Sequence, residues 1–358
     1  MSGLVHTVLG DVQPHSLGLT LPHEHLLVRV EGWAIPPRDE DEARFAHAPV
    51  SVDLLAELHR RALSNLDNCR LDDVDVLENE LRLYAAAGGG ALADLTLPAL
   101  GRDPLRVREL SRATGVQVVL GCGYYVQAAH PPELESKAEE ELAEELVREL
   151  TEGIEDTGIR PGLIGEIGTG NPVTPGERKV LRGAVLAHRA TGAPLTVHLF
   201  PAGGTSREVL DIVEDAGADL SKVVLCHLDE NDPIAVEDHV ELARRGVYVE
   251  YDVFGANWTS DDLRALDSGT RYWSQPPSDQ QRVRAIARLF EAGMGDHVLI
   301  SQDVCTKIQQ AAWGGPGFVH IPKHMVPFFK ANGFTHEEVE TIVVRNPQRW
   351  LTWTTPPG

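Results

Sequence analysis

Short runs of apolar residues alternate along most of the chain with longer amphipathic stretches. Each run is continuous, rich in Val, Leu or Ile, and bounded by Gly, Pro or Asp, as is typical of strands buried on both faces. There are eight such runs: Leu17–Leu21, Ala91–Leu97, Val116–Gly121, Leu163–Ile167, Pro194–Leu199, Val223–Leu228, Val247–Val253 and His297–Ser301. The pattern therefore predicts eight strands of a parallel sheet.

The segments between most of these runs show the spacing of apolar residues that is typical of amphipathic helices. Leu142, Leu146 and Leu150 recur every four residues in an acidic segment, which gives one apolar stripe. Residues 281–292 repeat this pattern, and residues 235–245 are followed by a glycine, a common helix stop. Eight buried strands alternating with helices favour an α/β protein with a single (β/α)₈ TIM barrel. The alternative is an open doubly wound sheet, although its glycine-rich GxGxxG signature does not follow the first run.

We expect residues 1–358 to form one barrel domain, with two stretches that interrupt the alternation. Residues 31–53 are rich in Pro, Arg and Asp and predict a long excursion after the first strand. Residues 257–278 place Trp258, Tyr272 and Trp273 in a polar stretch. Long loops of this kind are often lids or binding loops. We therefore predict that this loop covers part of the substrate pocket, with Trp258 and Trp273 contacting the substrate.

The composition excludes some classes of partner. The formal net charge of −22 repels phosphate backbones, so nucleic acid is not expected as a partner. Apolar stretches stay shorter than the roughly 18–20 residues that a bilayer span requires, and the N-terminal region lacks the pattern of a signal peptide. Cys122 and Cys226 lie in apolar runs and are expected to be buried thiols. These features favour a cytoplasmic enzyme that acts on a small molecule away from membranes.

A pair of histidines directly follows the first predicted strand. His23 and His25 lie two residues apart on extended chain, so both side chains point to one side while Glu24 points away. One metal ion could therefore bind both imidazoles. The alternative is a pair of hydrogen-bonded histidines at a strand end.

Four other runs end in residue types that bind metals, namely Glu166, His198, His227 and Asp303. For any one of them, a hydrogen-bonded core residue is an adequate explanation. In a (β/α)₈ barrel, however, the carboxyl ends of all strands meet at one mouth, so all six side chains would crowd together there. Burying so many polar groups is unfavourable unless cations pair with them. The sequence thus predicts a binuclear metal site at the C-terminal mouth.

This ligand set indicates both the metals and the chemistry. Four imidazoles and two carboxylates suit Zn²⁺, with Mn²⁺, Co²⁺ or Fe²⁺ as alternatives. Two such ions would activate a bridging hydroxide, and Asp303 would accept the proton. We expect hydrolysis of a lactone, carboxylic ester or amide. The alternatives are a phosphoester or phosphotriester hydrolase and, from another class, a non-catalytic small-molecule binding protein.

The ordered set of motifs resembles the phosphotriesterase family of the amidohydrolase superfamily, nearly from end to end. The matching motifs are Leu21-Pro22-His23-Glu24-His25, Gly165-Glu166-Ile167-Gly168, Cys226-His227-Leu228-Asp229, Ser301-Gln302-Asp303 and Asn346-Pro347. The resemblance implies a (β/α)₈ barrel, a binuclear metal centre, a metal-bound hydroxide and a homodimer.

The same resemblance implies a role for each ligand. It assigns His23, His25 and Asp303 to the more buried metal, and His198 and His227 to the more exposed one. Glu166 takes the bridging position, where the best-known members carry a carboxylated lysine. A glutamate there is similar to the branch called phosphotriesterase homology proteins.

Five further positions carry weaker signals. Tyr125 matches a pocket tyrosine of lactonase members, and a packed aromatic is the alternative. Asp252 and Asp229 match acidic residues near the family's metal site. Glu230 stands where many relatives have an arginine, which argues against anion binding at that position. We expect Lys307 to be a solvated surface lysine, and contact with an anionic group of the substrate is the alternative.

Overall fold

Eight parallel strands form one sheet, in which each strand is hydrogen-bonded to the next one along the chain. The computed structural model describes residues 3–200, 203–231, 233–256 and 276–355. The strands, β1 to β8, are Leu19–Glu24, Gly89–Asp94, Gln117–Cys122, Leu163–Gly168, Leu195–His198, Val223–Leu225, Tyr248–Tyr251 and Val298–Ile300. Each begins within two residues of the predicted start, because a strand buried on both faces is a continuous apolar run.

The sheet curls round until its first and last strands meet. The backbone N–H of Asp303 donates to the carbonyl of His23 at 3.3 Å, and the N–H of His23 donates to the Ser301 hydroxyl at 3.1 Å. The Glu24 carboxylate accepts hydrogen bonds from the Ser301 hydroxyl at 2.8 Å and from the Gln302 N–H at 3.0 Å. These bonds join the ends of β1 and β8, and the predicted TIM barrel is confirmed.

Amphipathic helices connect most of the strands. Helices α1 to α12 span Glu40–His47, Leu55–Leu58, Val74–Ala86, Pro104–Thr114, Glu139–Glu152, Pro175–Thr191, Ser206–Asp215, Val236–Arg244, Asp279–Glu291, Val326–Ala331, His336–Glu340 and Asn346–Leu351. The predicted stripe of leucines in α5 is buried. Helix α9 begins two residues earlier than the apolar pattern indicates, because the Ser278 hydroxyl caps its first turn.

Two short antiparallel pairs lie outside the barrel sheet, Val5–Thr7 with Gly10–Val12 and Val28–Arg29 with Arg70–Leu71. Cys122 and Cys226 are fully buried free thiols, as predicted. None of the helices in the described ranges combines the length and apolarity that crossing a bilayer demands.

Candidate metal centre

The six predicted ligand side chains converge at the C-terminal mouth of the barrel. They come from β1 (His23, with His25 just after it), from β4 and β5 (Glu166 and His198), and from the segments after β6 and β8 (His227 and Asp303). They form two triads, and within each triad the candidate ligand atoms lie within 4.8 Å of one another. The triads are His23, His25 and Asp303, and Glu166, His198 and His227. The structure therefore brings together every residue of the predicted ligand set.

The Glu166 carboxylate lies between the two triads. Its Oε2 atom is 3.0 Å from His198 Nδ1 and 3.5 Å from His227 Nε2 within its own triad. The same oxygen is 3.5 Å from His23 Nε2, and Oε1 is 3.5 Å from His25 Nε2 in the other triad. One carboxylate thus contacts both halves of the cluster, which is the arrangement that a bridging ligand needs.

Buried polar atoms at the centre of the cluster lack partners. Among the described residues, His23 Nε2 and Asp303 Oδ1 have no hydrogen-bond partner. An unsatisfied buried polar atom costs about 1–3 kcal/mol, so these atoms favour a bound cation. Imidazole and carboxylate donors without thiolate suit divalent ions of the zinc type. The residues present therefore fit a metal centre.

The electrostatics of the cluster also favour added positive charge. Burial lowers the pKa of His23, but Asp252, Glu166 and Glu250 outweigh it and raise that pKa to about 10. Burial likewise opposes charge on His227, yet Asp252 raises its pKa well above the usual value. The surrounding carboxylates thus favour a proton on the imidazoles of His23 and His227, and a metal cation can take the place of that proton.

Buried carboxylates orient the imidazoles from behind. His23 Nδ1 lies 3.2 Å from Glu250 Oε2 and 3.4 Å from Asp252 Oδ2. His227 Nδ1 lies 3.0 Å from Asp252 Oδ1, and the backbone N–H of His227 donates to Asp252 Oδ2 at 2.8 Å. These contacts leave the Nε2 atoms of both rings facing the cluster, as is usual for metal-binding histidines.

Two of the candidate ligands have a strained backbone. His227 and Asp303 have positive φ angles of 59° and 47°, a region that residues other than glycine rarely adopt. Such strain costs about 1–3 kcal/mol at each residue and is concentrated at functional sites. The bond from the His227 N–H to Asp252 and the bond from the Asp303 N–H to His23 hold the two residues in place.

A buried ion pair supports Asp252 in turn. Asp229 accepts from the backbone N–H groups of Asp252 at 3.0 Å and Val253 at 3.4 Å. Its other partner is the guanidinium of Arg282, and both side chains are fully buried. Asp229 therefore lies near the site, as expected, and it reaches His227 only through Asp252.

An apolar pocket opens beside the cluster. Besides cluster residues, its lining includes Val30, Trp33, Leu63, Leu100, Tyr125 and Glu230. The Tyr125 hydroxyl lies 3.4 Å from His198 Nδ1, so this residue lies at the predicted pocket. The Glu230 side chain is only 5% exposed, with a carboxylate oxygen 3.4 Å from His227 Nδ1. Trp258 and Trp273 lie outside the described residues, and their contact with substrate stays a prediction.

One sequence expectation is wrong. Lys307 is not a solvated surface lysine, because its ammonium group lies 2.6 Å from Asp67 and its side chain is only 13% exposed. The two residues are 240 positions apart in sequence, so no local pattern could reveal the pair.

Sequence reasoning also missed residues that shape the site. Glu250 sits inside an apolar run, and a charged residue in a buried strand was the available signal. Arg282 faces the core from α9, where its place in the helical pattern gave a weaker signal. Trp33 belongs to the excursion after β1, and nothing in its local sequence indicated that it would reach the pocket.

The fold and the cluster define this protein as a (β/α)₈-barrel enzyme with side chains suited to binding metal. Residues 3–351 match the phosphotriesterase family, and the chain belongs to that family. It is therefore a hydrolase, as the sequence predicted.

Known proteins resemble this chain along almost its whole length. N-acetyltaurine hydrolase from Danio rerio is 37% identical over 357 residues, covering 99% of each chain. The human N-acetyltaurine hydrolase is 34% identical with the same coverage. A resiniferatoxin-binding protein from Rhodobacter sphaeroides has a TM-score of 0.92 and 38% identity, covering 98% of this chain and 95% of that one. The phosphotriesterase homology protein from Escherichia coli, complexed with phosphate, has a TM-score of 0.76 and 26% identity, covering 94% and 99%.

Proposed function

We propose that the protein is a binuclear metal-dependent amidase that hydrolyses short N-acyl amides such as N-acetyltaurine. The observation that carries this proposal is the pair of triads that share the Glu166 carboxylate. Among the expected substrates, which were lactones, esters and amides, the full-length similarity to N-acetyltaurine hydrolases favours the amide.

The two triads would hold the two ions. We assign His23, His25 and Asp303 to one ion, His198 and His227 to the other, and Glu166 to both as an unmodified carboxylate. Zn²⁺ is the proposed metal, and Mn²⁺, Co²⁺ and Fe²⁺ also fit the donors. When bound, such ions would supply a water of lowered pKa and would polarise the carbonyl of the amide whose C–N bond is cleaved.

Asp303 is the proposed proton acceptor. Its Oδ1 atom has no hydrogen-bond partner in the described part of the chain and lies 3.3 Å from His25 Nε2. Burial raises the pKa of this carboxyl, but the neighbouring His25 imidazole and the charge of His23 hold the pKa below its usual value. Asp303 is therefore ionised at neutral pH, and it can take the proton of the attacking water and pass it to the departing amine.

The apolar pocket would receive the acyl group. Val30, Leu63 and Leu100 offer apolar surface and Tyr125 offers an aromatic face beside His198. Excluding water from this space strengthens the electrostatic interactions at the reacting carbonyl.

We further propose that residues 1–358 make one barrel domain and that the protein is a cytoplasmic homodimer.

The test compares substrates and metals in one assay. The purified chain is stripped with chelator, reloaded with Zn²⁺, Mn²⁺, Co²⁺ or Fe²⁺, and assayed with N-acetyltaurine, a lactone and a phosphotriester. We expect amide hydrolysis that disappears on chelation and returns on reloading, and Asp303→Asn should remove it while the fold remains. Hydrolysis of the phosphotriester alone would support a phosphoester hydrolase instead. Binding of amides without turnover by any reloaded form would support a non-catalytic binding protein.

A further inference from the structure

His227 lines a second cavity in addition to the apolar pocket. This cavity lies between the loops that follow β5 and β6, and residues at its wall include Gly203, Gly204, Thr205, Ser206 and Asn231. Because His227 also belongs to the candidate metal centre, the cavity borders that centre at this residue.

The amino end of α7 forms part of the cavity wall. This helix spans ten residues from Ser206, and Thr205 occupies the capping position before it. The Thr205 backbone has φ −113° and ψ −5°, and its side chain makes no capping hydrogen bond within the described structure. The first turn of a helix presents backbone N–H groups and the positive end of the helix dipole, which together attract anions.

The Thr205 hydroxyl is an independent sign of a ligand. Thr205 is 2% exposed, and its Oγ1 atom has no hydrogen-bond partner among the residues described. A buried hydroxyl without a partner is unfavourable, and an oxygen of a bound anion would supply the missing hydrogen bond. The cavity thus pairs the positive end of a helix with a hydroxyl donor.

Two acidic side chains near this end of α7 are paired with arginines. Asp238, which lines the cavity, accepts from Arg207 at 2.9 Å. Glu208, in the first turn, pairs with Arg178. These ion pairs reduce the repulsion that an incoming anion would meet. Gly203 and Gly204 have φ angles of 73° and 93°, which glycine adopts readily and which let the loop backbone border the cavity.

We propose that this cavity binds the acidic group on the amine half of the substrate, a sulfonate or a carboxylate. The inference rests on the proposed amidase function, and it names the class of amide that the enzyme selects. In N-acetyltaurine the sulfonate is separated from the amide nitrogen by two carbons, so both groups can be held at adjoining sites. The helix end and the Thr205 hydroxyl recognise the acid, while the metal centre acts on the amide.

Three substrates with one acyl group and one spacer test the proposal. N-acetyltaurine, N-acetyl-β-alanine and N-acetylethanolamine end in a sulfonate, a carboxylate and a neutral hydroxyl, respectively. We expect kcat/KM for the two acids to exceed that for the alcohol by about tenfold or more, mainly through KM. A preference for only one of the acids would show which anion the cavity accommodates and would still support an anion site.

Variants of the cavity wall provide the second arm. Ser206→Asp places a negative charge at the amino end of α7, where it favours the helix but repels an acidic substrate. It should lower kcat/KM for N-acetyltaurine about tenfold without lowering Tm. Thr205→Val should lower the ratio of kcat/KM for N-acetyltaurine to that for N-acetylethanolamine about fivefold. Thr151→Val, an exposed position on α5, is the matched control and should leave that ratio unchanged.

Two outcomes would count against the proposal, and they are distinguishable. Equal kcat/KM for the three amides, together with no response to Ser206→Asp, would overturn the anion site while leaving the amidase function intact. Hydrolysis of none of the three by the metal-loaded enzyme would overturn the amidase function and this assignment with it.

Discussion

The two halves of the candidate metal centre differ in how the protein holds their imidazoles. In the half that contains His23 and His25, both rings have their Nδ1 atoms against buried acceptors. His23 lies 3.2 Å from Glu250, and His25 lies 3.0 Å from the Thr96 hydroxyl. His23 is the one cluster residue that does not line the apolar pocket.

In the half that contains His198 and His227, only His227 has a buried carboxylate behind it, with Asp252 3.0 Å away. The His198 ring instead packs against Tyr125 at a centroid separation of 4.8 Å and lines the pocket. Burial itself does not separate the halves, since His25, His198 and His227 are each 3–4% exposed. The difference lies in the support behind the rings. We therefore expect tighter metal binding at the first half, and easier exchange and substrate contact at the second.

Removing the group shared by both halves should have the largest effect. Glu166→Gln keeps the size of the side chain but loses the charge that contacts both triads. Removing one charged partner from so buried a cluster should reduce kcat by about 100-fold or more and release at least one metal. Metal analysis and kinetics on the same sample measure both effects.

Glu80→Gln is the matched control for this variant, because Glu80 is equally buried but belongs to α3. It should keep its metals and its activity. Full metal occupancy and activity in Glu166→Gln would refute the bridging role, and Asp252 would then be the next candidate.

The residues behind the rings allow the two halves to be weakened separately. Glu250→Gln affects His23 alone, whereas Asp252→Asn affects His227 and also reaches His23, from which Asp252 lies 3.4 Å away. Loss of such supporting partners weakens metal binding by about 10–100-fold. Titration with a competing chelator should show one weakened ion in Glu250→Gln and two in Asp252→Asn. Identical titrations for the two variants would show that the halves are not supported independently.

A smaller effect concerns acid stability beside the second half. His239 donates to or accepts from the Tyr251 hydroxyl at 2.8 Å, and burial lowers its pKa from 6.5 to about 4. In the unfolded chain, His239 takes up a proton below about pH 6.5, whereas in the native state it stays neutral down to about pH 4. The native state therefore loses stability as pH falls from 6.5 to 4. The loss reaches about 3 kcal/mol at roughly 1.4 kcal/mol per pH unit.

His239→Gln should remove this pH dependence. Urea unfolding of the metal-free protein at pH 7 and pH 4 measures it, with exposed His15→Gln as the control. The free energy of unfolding should fall less on acidification in His239→Gln than in the parent chain. An equal fall in both proteins would assign the acid sensitivity to other groups.

The sequence was informative where one chain segment carried the whole signal. The strands were predictable because each is a continuous apolar run, and Glu166 was conspicuous as a polar residue near the end of such a run. Contacts between distant segments were not predictable. The pair of Asp229 with Arg282 joins residues 53 positions apart, and the pair of Lys307 with Asp67 spans 240. The cavity at Thr205 depends on how two loops pack, which neither loop's sequence specifies.

We propose above all that two cation sites share Glu166, and the number of metals bound by each chain tests this directly. The purified protein is saturated with Zn²⁺ and freed of unbound metal. The zinc concentration is then measured by mass spectrometry and divided by the protein concentration. We expect two ions per chain in the parent protein and one in His198→Ala, the retained ion being held by the better supported half. A parent protein that binds no more than one ion per chain at saturation would contradict a pair of cation sites that share Glu166.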